Sequence, residues 1–134
     1  MKKIKSISIL LLYLTAIFSS ACKKSTVTAD DLTVTITSPV EGTTYTGSVN
    51  MAFSINAPKG LDSCLVALQD ATSSSTYFSN NFVNGFEVRN KTSFSYSFTQ
   101  TTLPIALTPA KFTITVVDLQ KHRFTKTINV NVKQ

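Results

Sequence analysis

The amino-acid sequence predicts an all-β domain, folded as a two-layer antiparallel sandwich of about seven strands. From residue 32 onward, apolar side chains recur at every second position, which is the period of a strand with one buried face. Thr, Val, Ile and Phe fill many of these positions and favour strands over helices. No apolar repeat of about 3.6 residues occurs beyond the N-terminal segment, so helices are not expected.

The first three predicted strands are separated by turn-forming residues. Apolar and polar residues alternate over 32–37, and a Ser-Pro-Val-Glu-Gly turn follows at 38–42. The second run, 49–56, alternates Val, Met, Phe and Ile with small polar residues and ends at Pro-Lys-Gly, 58–60. The third run, 64–68, places Cys, Val and Leu on one face. These runs predict three strands that each have one buried side.

The second half of the domain begins with an irregular region and ends with three clear strands. Region 71–90 is rich in Ser and Asn and carries aromatic residues, and residues 77–78 are predicted to open a fourth, edge strand. Strong alternation then returns over 93–98, 112–116 and 124–132. The sequence therefore predicts seven strands, of which the fourth is the least regular.

Both ends of this domain resemble bacterial immunoglobulin-like domains. Residues 34–45, Val-Thr-Ile-Thr-Ser-Pro-Val-Glu-Gly-Thr-Thr-Tyr, look like the first strand and turn of that family, and 109–118 resemble its penultimate strand. The final strand, 127–132, also fits, whereas 121–123 is Lys-His-Arg where the family often has Gly. The resemblance implies an immunoglobulin-like β-sandwich over 32–134. Its motifs are compositional, so they specify the fold better than the function.

The first 21 residues have the three parts of a secretory signal peptide. Three lysines lie among the first five residues, an apolar stretch covers 7–18, and small residues follow at 19–21. About a dozen apolar residues are too few for a stable transmembrane helix, which needs roughly 20. We expect cleavage after residue 21; an uncleaved membrane anchor is the alternative.

Cys22 follows the small residues directly, and the Ser-Ser-Ala-Cys junction resembles the lipobox of bacterial lipoproteins. In that family the cysteine carries a diacylglyceryl group on its thiol. Cleavage before the cysteine then makes it the new N-terminal residue. Ser19 stands where the family usually has Leu. The resemblance implies a lipid on Cys22 and a polar tether over 22–31. The alternative is ordinary cleavage, with Cys22 free or bridged to Cys64.

The lipid would hold the domain at the cell outer membrane, and we expect it on the periplasmic face. Surface-export signals of such lipoproteins place acidic residues just after the cysteine. Here the first acidic residues after Cys22 are Asp30 and Asp31, which follow it by eight and nine residues. The membrane is thus the one partner that the sequence predicts directly.

The formal net charge of +6 does not indicate nucleic-acid binding. Three of the 13 basic residues lie in the leader, so the net charge after cleavage is +3. Lys23 and Lys24 then adjoin the lipid, and the main remaining basic cluster lies at 121–126. Nucleic-acid binding needs a concentrated basic face, so we expect none.

No residue pattern predicts catalysis or a cofactor. His122 is the only histidine and is predicted in a hairpin loop near Asp118, without a Ser or Cys placed as a nucleophile. A solvated loop residue is the favoured interpretation. The seven acids are dispersed and no Trp is present to stack a sugar, which disfavours a glycosidase.

A metal site is also not expected. Cys22 is assigned to the lipid, and Cys64 alternates with apolar neighbours, so it is predicted to be an inert core residue. Calcium would need clustered oxygen ligands, and only residues 30–31 together with Glu41 or Asp118 offer a candidate group. Ordinary surface charges are the favoured interpretation of these acids.

These observations predict a non-enzymatic, lipid-anchored module for binding, adhesion or assembly at the cell envelope. The alternative is a carbohydrate-recognition or accessory lipoprotein in glycan uptake. The candidate binding surface consists of Tyr77, Phe78, Phe82 and Phe86 in the region 71–90. Its partner would be an envelope protein or a glycan. Aromatic residues at the edge of a sandwich usually belong to the core, which is the alternative for these four.

Overall fold

The computed structural model describes residues 32–73, 75–82 and 88–134, and these ranges form an immunoglobulin-like β-sandwich. The predictions for the signal peptide, Cys22, the tether and Phe86 therefore concern residues outside the described ranges. No helix long and apolar enough to cross a bilayer occurs within them. The strands are β1 (Thr33–Ser38), β2 (Thr44–Thr46), β3 (Val49–Asn56), β4 (Leu61–Asp70), β5 (Thr76–Asn81), β6 (Ser93–Gln100), β7 (Thr108–Asp118) and β8 (Arg123–Lys133).

The strands form two sheets, in the orders β1-β3-β6 and β2-β8-β7-β4-β5. Every pairing is antiparallel except that of β2 with β8. The predicted fold class is confirmed. The predicted edge strand at 77–78 is β5, which lies at the outer edge of the larger sheet. Only β2 was not predicted, because three residues are too few to display an alternation.

The core lies between the two sheets, and β7 contributes three of its fully buried side chains. Phe112, Ile114 and Val116 on β7 are completely buried, and Met51 and Phe53 on β3 belong to the same apolar cluster. Full burial of a side chain of this size stabilises the fold by about 1.5–3 kcal/mol. The alternation seen in the sequence therefore corresponds to inward and outward positions in both sheets.

Candidate functional site

Cys64 is a core residue, as predicted. It lies on the inward face of β4, its side chain is fully buried, and it is a free cysteine in the described part of the chain. Burial raises the pKa of its thiol to about 12, because the apolar surroundings disfavour the thiolate. The thiol therefore stays protonated near neutral pH and has no access to solvent, so it contributes packing.

Asp118 and His122 form a pair in the hairpin that joins β7 to β8. The His122 backbone N–H donates to Asp118 Oδ1 at 2.8 Å, and His122 Nδ1 lies 2.9 Å from Asp118 Oδ2. The Asp118 side chain is 2% exposed and that of His122 is 41% exposed. The hairpin loop was predicted, but the contact between the imidazole and a buried carboxylate was not. Both carboxylate oxygens hold the turn in place, so the pair has a structural role.

The remaining acids of the described ranges also support local structure. Glu41 accepts two hydrogen bonds from Asn129, from the backbone N–H at 2.9 Å and the side-chain amide at 3.0 Å. These bonds lower the pKa of Glu41 and tie the turn after β1 to β8. Asp62 forms an ion pair with Lys121 at 2.7 Å. Each carboxylate is therefore already used by a neighbour within the sandwich.

Glu41 and Asp118, the two alternative partners of residues 30–31 in the candidate calcium group, lie apart from each other in the structure. Glu41 is hydrogen-bonded to Asn129, whereas Asp118 is hydrogen-bonded to His122. His122 precedes Asn129 by seven residues. At about 3.3 Å per residue, that separation corresponds to roughly 23 Å along β8. Asp30 and Asp31 lie outside the described residues. Within 32–73, 75–82 and 88–134, no three His, Cys, Asp or Glu side chains form a group that could hold a metal ion.

The structure places the predicted aromatic binding residues in different environments. Phe82 is 6% exposed and belongs to the core cluster. Tyr77 and Phe78 are half-buried on β5, and Phe86 lies outside the described ranges. A buried ring cannot reach a partner, so Phe82 supports the surface from beneath. Binding through Tyr77, Phe78 and Phe86 stays a prediction.

These aromatic residues belong to a larger group that closes one side of the sandwich. We call it the aromatic seam; it consists of Phe78, Phe82, Phe94, Tyr96 and Phe98. Phe78 and Phe98 are stacked, with ring centroids 4.5 Å apart. Phe82 meets Tyr96 edge-on at 5.0 Å. Such pairs contribute about 0.5–1.5 kcal/mol beyond their buried area. The seam joins β5 of one sheet to β6 of the other.

Phe78 and Phe82 are the two members of the aromatic seam that the sequence predicts as part of a binding surface. The alternation over 93–98 predicted that Phe94, Tyr96 and Phe98 share an inward face. It did not show that β6 lies at a sheet edge beside β5, which leaves these rings half-buried. The available signal was that three of the four inward residues of this strand are aromatic, because large rings can close the open side of a sandwich.

The outer face of the three-stranded sheet is a second candidate surface. We call it the hydroxyl face; its side chains are Thr33, Thr35 and Thr37 on β1, Asn50, Ala52, Ser54 and Asn56 on β3, and Ser93, Ser95, Ser97 and Thr99 on β6. None of these residues is charged. A shallow, open depression of about 410 Å³ lies around Ala52, Ser54 and Ser97. The face therefore offers a flat array of small hydrogen-bonding groups.

Comparison with known proteins gives similarity at the level of fold. No protein-family model and no curated protein sequence matches the chain. Among solved structures, it is similar to the fibronectin(III)-like modules of Clostridium thermocellum CbhA, with 15% identity, a TM-score of 0.46, and coverage of 75% of this chain and 96% of that chain. It is also similar to murine CRIg, with 14% identity, a TM-score of 0.43, and coverage of 75% and 97%. Similarity at this level carries no information about a ligand.

Proposed function

We propose that the protein is a non-enzymatic binding or assembly module of the bacterial cell envelope, held at the outer membrane by a lipid on Cys22. The observation that carries the proposal is that ionisable and uncharged polar side chains lie in different places. Ionisable groups such as Asp118, His122 and Glu41 are engaged inside the fold, in turns and hairpins. The exposed hydroxyl face is uncharged and shallow. These features suit recognition by shape and hydrogen bonding.

The anchor would keep the domain near the bilayer. Nine residues lie between Cys22 and Leu32, the first described residue, so the two positions are ten residue steps apart. Ten residue steps span at most about 35 Å when the chain is fully extended. Two or more acyl chains hold a protein firmly, since each buried methylene contributes about 0.8 kcal/mol. The domain would therefore present its surfaces to partners within a few tens of ångströms of the membrane.

The anchor is tested by replacing each cysteine of the full chain in turn. Cys22→Ala should move the protein from the membrane pellet to the soluble fraction or leave an uncleaved precursor. Cys64→Ala is the matched control and should stay in the pellet with the wild type. Retention of mature-sized Cys22→Ala protein in the membrane fraction would contradict lipid anchoring.

The binding role is tested by placing a photoreactive amino acid at Ser54 on the hydroxyl face. The matched control carries it at Thr127, an exposed position on β8 of the opposite sheet. We expect a discrete cross-linked envelope protein from position 54 only. A glycan array probed with the detergent-solubilised chain tests the alternative. Selective glycan binding without a cross-linked protein would favour the carbohydrate-recognition role.

A further inference from the structure

Sheet edges are natural sites of association, because their outer backbone N–H and C=O groups lack strand partners. In the part of the chain that the structure describes, the two sheets end in four edge strands: β1 and β6 in the smaller sheet, and β2 and β5 in the larger. Proteins usually protect such edges with bulges, charges or short strands. The four edges of this sandwich differ in that protection.

Three of the edges are protected. β1 has a bulge between Ile36 and Ser38, and Lys126 Nζ donates to the outward carbonyl of Val34 at 3.0 Å. β2 is only three residues long. β5 has six residues, and its pairing with β4 is interrupted between Leu68 and Gln69. Each feature makes the addition of a further strand unfavourable.

The fourth edge, β6, has none of these features. Its eight residues pair with β3 in one unbroken register, from Val49 opposite Gln100 to Asn56 opposite Ser93. The strand Ser-Phe-Ser-Tyr-Ser-Phe-Thr-Gln contains no charge, proline or glycine. β6 is therefore a regular, neutral edge of the kind that accepts another strand.

The register shows which residues of β6 turn their backbone groups to the free side. The Ala57 N–H donates to the Thr92 carbonyl at 2.8 Å, so Thr92 faces β3. In an antiparallel pair, alternate residues face the partner strand and the others face away. The outward-facing residues are consequently Ser93, Ser95, Ser97 and Thr99.

The sequence of β6 is also nearly palindromic. Residues 93–99, Ser-Phe-Ser-Tyr-Ser-Phe-Thr, read the same in either direction from Tyr96, except that Ser93 corresponds to Thr99. In a two-fold symmetric contact residue i meets j while j meets i, so an antiparallel pair of palindromic strands places like residues opposite each other. An unrelated peptide would have no need of this symmetry, so it favours a second copy of the chain as the partner.

We propose that two copies associate through β6, antiparallel and centred on Tyr96, to form a continuous six-stranded sheet. In this register Ser95 lies opposite Ser97 of the second copy, and Ser93 lies opposite its Thr99. All four outward-facing residues then meet outward-facing residues, so their N–H and C=O groups pair fully. On the inner face Phe94 meets Phe98 of the second copy, a cross-strand aromatic pair of the kind that stabilises sheets.

Charge places no obstacle in this arrangement. The basic residue nearest to β6 in sequence is Lys91, just before the strand. In an antiparallel pair centred on Tyr96, position 91 lies opposite position 101, so the two copies of Lys91 lie at opposite ends of the contact. The proposal goes beyond the envelope role and does not depend on the lipid at Cys22.

Charge exchange on the outward side chains tests the proposal. We expect the full chain in density-matched detergent to sediment at about twice the mass of one copy. Ser95→Lys/Ser97→Lys should sediment as one copy, because lysines then face lysines, and so should Ser95→Glu/Ser97→Glu. An equimolar mixture of the two variants should recover the double mass, since each lysine faces a glutamate. Circular dichroism of each variant should match the wild type, because both side chains are exposed.

Thr35→Lys/Thr37→Lys, at exposed positions on the other edge of the same sheet, is the matched control and should keep the double mass. A wild-type chain that sediments as one copy at tens of micromolar would overturn the proposal. So would a lysine variant that keeps the double mass, because association would then use another segment, such as residues 1–31. Failure of the mixture to recover the double mass would overturn the Tyr96-centred register.

Discussion

Strands β7 and β6 show the same alternation in sequence but occupy different environments. Phe112, Ile114 and Val116 on β7 have no exposed surface. The corresponding inward residues of β6 are aromatic and only half-buried. β7 has a hydrogen-bonded neighbour on each side, β4 and β8, whereas β6 has only β3 within the described ranges. Alternation therefore tells which face turns inward, and the neighbouring strands decide how deeply it is buried.

This difference separates the regions that stabilise the domain from those available for contact. The centre of the five-stranded sheet offers no inward side chain to a partner. The edge of the three-stranded sheet keeps partly exposed rings and outward backbone groups. We expect substitutions in β7 to affect folding and substitutions at the outer side of β6 to affect association. Four measurements, from the largest expected effect to the smallest, test how stability and exposure vary across the sandwich.

Phe112→Ala should lower the free energy of unfolding by about 3–5 kcal/mol. Loss of the ring leaves a cavity in the core, and the strands on both sides of β7 keep neighbouring side chains from filling it. Urea denaturation of the variant and the wild type measures the difference. Thr113→Ala on the outward side of the same strand is the control and should change stability by less than about 1 kcal/mol. Equal losses for the two variants would show that β7 is not the rigid centre of the fold.

A thiol at the edge should react far faster than the thiol in the centre. At pH 8 the thiolate fraction of Cys64 is small because its pKa is raised to about 12. Ser95→Cys would introduce an exposed thiol with an ordinary pKa near 8.5, so its alkylation should be roughly a thousandfold faster. Peptide mass spectrometry after timed iodoacetamide treatment distinguishes the two sites. Similar rates would mean that β4 opens readily to solvent.

Phe98→Ala should cost about 1–2 kcal/mol, less than Phe112→Ala, because its ring is only partly buried. Part of that loss is the stack with Phe78, worth about 0.5–1.5 kcal/mol. A double-mutant cycle with Phe78→Ala, followed by urea denaturation, isolates the pair. A loss as large as that of Phe112→Ala would show that the edge is packed as tightly as the centre.

Asp70, at the end of β4 before the loop to β5, should make the free energy of unfolding depend on pH. Hydrogen bonds from Thr72 and Ser73 lower its pKa in the folded state, so its contribution is present above the unfolded value of about 3.9 and is lost as pH falls below it. We expect Asp70→Asn to flatten the decrease in unfolding free energy between pH 5 and pH 3. Urea denaturation at several pH values measures this slope. An unchanged slope would assign the acid sensitivity to other carboxylates.

The candidate surfaces were only partly predictable from sequence. Tyr77 and Phe78 were correctly placed on an edge strand, but Phe82, four residues later, is buried against Phe94 and Tyr96. The residue types of region 71–90 do not distinguish a ring that covers the core from one that faces solvent. That distinction depends on β6, whose contact with β5 is made between two sheets.

Local sequence determined the all-β class, the inward face of each long strand and the burial of Cys64, because a period of two leaves only one way to bury the apolar side chains. Only the tertiary structure decided the parallel pairing of β2 and the contrast between the edges of the smaller sheet. Lys126 donates a hydrogen bond to the Val34 carbonyl of β1 from 92 residues away in the chain. Among the described residues, no side chain covers the outer edge of β6 in this way. Contacts of that range depend on which strands become neighbours, and no local pattern encodes that.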